Sequence, residues 1–88
     1  MGQVAVLFRV MPSGVDTDMK AVAEAVRLAL PPEAKLRGMQ VKEIAFGLKS
    51  LLVSIVMADT GGILPATEEA LRHVENVESV EVIEEGLL

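Results

Sequence analysis

Two stretches of this chain, Val4–Met11 and Leu51–Met57, are apolar at nearly every position rather than at every second one. Successive side chains of a β-strand point to opposite faces, so a strand apolar at both parities has two faces to keep from water. Such a strand belongs in the middle of a sheet, with a layer on one side and a contact on the other. Val4, Val6, Phe8 and Val10 form one set, and Ala5, Leu7 and Met11 the other, interrupted only by Arg9. β-Branched residues dominate both runs, as strands favour.

The rest of the chain punctuates these two runs. Pro12-Ser13-Gly14 ends the first strand, predicted over Gln3 to Met11. Asp16-Thr17-Asp18 then offers N-cap side chains, and Met19, Val22, Ala23, Val26 and Leu30 recur at helical spacing until Pro31-Pro32. Lys35 to Phe46 alternates imperfectly through Leu36, Met39, Val41 and Ile44, the pattern of an edge strand with a bulge near Gly38. Ala45-Phe46-Gly47 reads as the turn into a strand over Leu48 to Met57, which Asp59-Thr60-Gly61-Gly62 breaks. Ile63 to Glu75 reads as a second helix, with Pro65 in its first turn and Ile63, Thr67, Ala70, Leu71 and Val74 inward. Val77 to Ile83 reads as a last strand.

The order βαββαβ has one compact solution, the α+β ferredoxin-like sandwich. It is a four-stranded antiparallel sheet of order 4-1-3-2 with both helices on one face. Counting strand directions puts the Phe46 tip beside Met11-Pro12 and the start of the first helix. The carboxyl end then lies at the other end, near Asp59 to Gly62.

Composition narrows the function classes. Eighty-eight residues fit one domain, expected over 1–88, and without cysteine the aliphatic core must supply the stability. A lone helical histidine, His73, and no thiol leave no nucleophile–base set or metal-ligand set. Glu68/Glu69 and Glu84/Glu85 are sequence neighbours whose side chains diverge, which disfavours paired acid–base work. The expectation is a protein that is not an enzyme and needs no cofactor. The charge is lopsided: seven bases face five acids up to Ala58, and eight acids face Arg72 alone beyond it. That balance, with only Phe8 and Phe46 as aromatics, disfavours direct nucleic-acid binding. The longest apolar run, Leu51 to Ala58, is broken by Ser54 and far shorter than the roughly 20 residues of a spanning helix. With no export signal evident, the cytoplasm is the expected compartment.

Two features therefore point to binding rather than chemistry. The apolar surplus on the open sheet face suits a partner protein or a weak homodimer. Phe46, in a glycine-flanked turn, is either a plug folded back on the core edge or an anchor for a partner pocket.

Four stretches carry a resemblance: Met1-Gly2 with the strand ending Val10-Met11-Pro12; Asp16-Thr17-Asp18-Met19; Ile44-Ala45-Phe46-Gly47-Leu48-Lys49-Ser50-Leu51; and Val77-Glu78-Ser79-Val80-Glu81-Val82. In order and spacing they resemble the family of archaeal translation elongation factors 1-beta and the carboxy-terminal exchange domains of its eukaryotic relatives. The resemblance implies guanine-nucleotide exchange on the GTPase elongation factor 1-alpha, with the two ends of the sheet engaging two of its domains. On that reading Ala45, Phe46, Gly47 and Lys49, with Met11, Pro12, Asp16 and Asp18, belong to one contact end. Glu84 and Glu85 belong to the other. The eukaryotic relatives carry a lysine beside the carboxyl terminus where this chain reads Glu84-Glu85-Gly86-Leu87-Leu88. At this departure from the relatives the expectation is that Glu84/Glu85 or the Asp59 to Gly62 loop repels phosphate or moves a switch segment instead. Asp16 and Asp18 serve either as helix caps or as partner contacts. The alternative function is a small-molecule regulatory module of the ACT type, with Met11 to Asp16 as its ligand loop.

Overall fold

The computed structural model describes residues 2–88; Met1, part of the first matching stretch, lies outside the described residues. The elements are β1 (Gln3–Pro12), α1 (Met19–Ala29), β2 (Lys35–Ala45), β3 (Leu48–Ala58), α2 (Ile63–Arg72) and β4 (Val77–Leu87). All pairings are antiparallel and the sheet order is β2-β3-β1-β4, the expected order read from the other edge. The two nearly all-apolar strands are its centre.

The register sorts their side chains. Val4, Val6, Phe8 and Val10 stand opposite Met57, Ile55, Val53 and Leu51, and all eight are buried beneath the helices. Met19, Val22 and Val26 of α1 and Leu71 of α2 close this core from the other side. Phe8 is its largest fully buried side chain, and removing its ring would cost roughly 3–5 kcal/mol. The buried hydroxyl of Thr67 donates to the Ile63 carbonyl at 2.8 Å, and that of Ser50 to the Lys42 carbonyl at 3.3 Å. Neither is left unpaired, as burial of a polar group requires.

Two boundaries differ from expectation by more than one residue. Helix α2 ends at Arg72, not Glu75, because His73 caps it through its backbone N–H and Asn76 takes a left-handed φ of 69° that no helix accommodates. Asparagine tolerates that conformation better than most residues. Strand β4 continues past Ile83 to Leu87, carried by pairing with β1 down to Val4↔Leu87. Glu84 and Glu85 are consequently strand residues. A bulge lies between Leu36 and Gly38, as expected of β2, and others interrupt the β1–β4 ladder. Among the described residues no helix is long and apolar enough to cross a membrane.

Candidate partner-binding surface

The β2–β3 hairpin projects beyond the helix layer at one end of the 42 Å long axis. From Gln40 to Gly47 every residue is exposed, including Val41 and Ile44 at nearly half of their surface. No helix reaches that far, so the imperfect alternation of Lys35 to Phe46 marks an arm with apolar residues on both faces rather than a covered strand.

The arm ends in a two-residue turn in which Phe46 has φ 51° and Gly47 has φ 82°. Two consecutive positive φ values are those of a type I′ hairpin turn, which matches the right-handed twist of its strands and is normally built from Asn-Gly. Gly47 takes its value freely. A bulky L-residue does not: the left-handed region crowds its Cβ against the backbone at about 1 kcal/mol. Phe46 nonetheless carries its ring fully into solvent, at 102% relative exposure. The plug reading is thereby excluded, since the ring covers no part of the core. Backbone strain and an unsheltered aromatic ring coincide at one residue, with no gain to the fold from either.

The other residues expected at this end stand in different surroundings. Ala45 and Gly47 flank Phe46, and exposed Lys49 stands opposite Glu43 across the hairpin. Met11 is half-buried on the open face of the sheet, whereas Pro12 is buried. Asp18 is the N-cap of α1: its carboxylate accepts from the backbone N–H of Lys20 at 3.0 Å and of Ala21 at 3.4 Å. Asp18 is thus a helix cap, and it is exposed at that position. Asp16 is exposed in the connecting loop, which is tied to the start of β4 by the Ser13 N–H to Asn76 carbonyl bond of 2.9 Å.

Glu84 and Glu85 lie toward the opposite end, paired with Leu7 and Val6. They therefore point to opposite faces of the sheet, Glu84 to the open face and Glu85 to the helix side. The ends of the chain close this region through the Leu88 N–H to Gln3 carbonyl bond and the Asp59 N–H to Gly2 carbonyl bond. The acids Glu68 and Glu69 are within ion-pair reach of Arg72, and His73 is exposed with Nδ1 against the Glu69 carbonyl.

The family described as EF-1 guanine nucleotide exchange domain matches residues 5–87, the sheet, both helices and the arm together. The chain belongs to this family. Its full length is 41% identical to elongation factor 1-beta of Halorubrum lacusprofundi, with both proteins covered completely. It is 42% identical over 85 residues to elongation factor 1-beta of Methanosarcina mazei, covering 96% of each. Family membership makes the chain a guanine-nucleotide exchange factor. Among solved structures, the ACT domain of the GTP pyrophosphokinase of Chlorobium tepidum superposes with a TM-score of 0.65 over 94% of this chain and 100% of the other. At 14% identity that likeness shows a shared fold alone.

Proposed function

We infer that residues 1–88 form one exchange domain that promotes GDP release and GTP loading on elongation factor 1-alpha during protein synthesis in the cytoplasm. The observation that carries this reading is Phe46: an aromatic anchor held out at the end of a strained arm has use only inside a partner's pocket. Ala45 and Gly47 set the turn that presents the ring, and Lys49 adds a cation beside it. Met11, Pro12, Asp16 and Asp18 belong to the same end, where Pro12 also ends β1 and Asp18 also caps α1.

The factor forms and breaks no covalent bond. It binds the nucleotide-free GTPase more tightly than the GDP-bound one, and linkage then requires that it weaken GDP binding by the same factor. A hundredfold weakening corresponds to about 2.7 kcal/mol of differential contact. The Phe46 end supplies anchorage. The distant end presents Glu84, Glu85 and the Asp59 to Gly62 loop, and the carboxy-terminal segment Glu84 to Leu88 holds no lysine; its influence on the nucleotide is repulsion of phosphate or displacement of a switch segment. An exchange factor of this kind needs no cofactor of its own and makes no direct contact with nucleic acid.

The test is the rate at which labelled GDP leaves purified elongation factor 1-alpha, with and without this chain. Acceleration by the native chain and its loss in Phe46→Ala support the reading. Equal acceleration by both removes the anchor, and no acceleration by either removes the function.

A further inference from the structure

The register tells the two faces of the β2–β3 arm apart. Val41 stands opposite Leu51, whose side chain is buried beneath the helices, so Val41 points to the helix side. Lys42 and Ser50 face each other next along the hairpin and therefore point to the open side. Ile44 lies two residues beyond Lys42, in the bulge between Glu43 and Ala45, and keeps the open side: it lines a cleft of about 300 Å³ with Arg9, Ser50 and Leu52. Phe46 ends the arm. Apolar side chains thus leave the arm in three directions, at 45% exposure for Val41, 47% for Ile44 and 102% for Phe46.

An antiparallel pair with neither face packed has two solvated faces and should be polar on both. Strand propensity does not account for Val41 and Ile44, because threonine meets it with less apolar surface in water. The core does not account for them either. On β2 contact with the core stops at Met39, and on β3 it starts at Leu51, so the arm between them shelters nothing.

We propose that the site on elongation factor 1-alpha that receives Phe46 is a cleft gripping both faces of the arm, with one aliphatic wall against Val41, another against Ile44, and a pocket for the ring at its floor. The inference rests on the exchange reading and deepens it. A one-sided partner surface covers Phe46 and one of the two aliphatic residues, and leaves the other as wet as before. Only a partner with two walls covers all three. Val41 and Phe46 are five residues apart, so at ordinary strand rise the cleft is roughly 17 Å deep. Val41 and Ile44 are then specificity residues: a GTPase with a pocket for the ring but a single wall is bound less tightly.

The test uses the full chain with purified elongation factor 1-alpha freed of nucleotide. Hydroxyl-radical footprinting of the native complex should show Val41, Ile44 and Phe46 all losing reactivity. Val41→Thr and Ile44→Thr keep strand propensity while placing a hydroxyl against an apolar wall, and each should raise the Kd about fivefold. The two positions are roughly 10 Å apart and meet different walls, so the double variant should show about the product of the two effects. Unchanged urea midpoints check that the variants fold. A complex in which either residue stays reactive, or in which either threonine variant binds as tightly as the native chain, overturns the inference while the exchange reading stands. Concentration-dependent protection of the arm before any GTPase is added also overturns it, and assigns the arm to a second copy. A native chain that neither binds the GTPase nor accelerates GDP release removes the exchange reading and the inference together, so the two failures are distinct.

Discussion

The chain has two phenylalanines, and they occupy opposite environments. Phe8 sits at 0% exposure in the centre of β1, in ordinary extended backbone, with both helices above it. Phe46 sits at 102% exposure on the hairpin tip, in a backbone conformation that disfavours it. The same ring stabilises the fold at one position and contributes nothing to it at the other. What separates them is the reach of the helix layer: α1 and α2 cover the middle of the sheet and leave the arm bare. On the proposed reading stability and recognition are housed in different residues, and each can be changed without the other.

The sharpest way to break that division is at Phe8. Phe8→Ala should lose roughly 3–5 kcal/mol, much of the total for a domain of this size, and show it as a large fall in the urea midpoint. Phe46→Ala should leave that midpoint within about 0.5 kcal/mol while weakening the complex with elongation factor 1-alpha by at least about 2 kcal/mol, read as a fall of roughly thirtyfold in affinity. If Phe46→Ala also unfolds the chain, the ring has a structural part that its exposure does not reveal. Asp18→Ala should cost about 1 kcal/mol through the lost cap of α1, with exchange unchanged once the protein is folded.

Phe46→Asn sharpens the comparison further, because its two effects have opposite signs. Asparagine suits the left-handed position of the turn, so the variant should gain several tenths of a kcal/mol, up to about 1 kcal/mol, in thermal or urea unfolding. It should still fail to accelerate GDP release. A variant that is steadier and inactive would separate the strain from any folding role. The smallest effect belongs to Glu81→Gln, which removes a solvent-exposed ion pair with Arg9; at most about 0.5 kcal/mol should be lost, and less at high salt.

How much of this was legible follows from where each signal is local. The inner set Val4, Val6, Phe8 and Val10, the caps around Asp18, the bulge near Gly38 and the turn at Phe46-Gly47 are written in neighbouring residues, and the elements formed there as expected. The length of β4 was not legible, because Glu84-Glu85-Gly86 has poor strand propensity and is held in the sheet only by β1. The end of α2 was missed because apolar spacing through Val74 continues past the residue where Asn76 turns the chain.

The amino-acid order by itself determined which segments are strands and helices, their βαββαβ succession, and hence a sheet with its apolar strands in the middle. It also set the excess of greasy side chains over what one core can hold. Whether Phe46 is sheltered or presented, whether Val41 and Ile44 are covered, and on which face of the arm each stands depended on distances between segments far apart along the chain. Burial is a property of neighbours in space, and those neighbours exist only once the helices have packed and the register between strands is set.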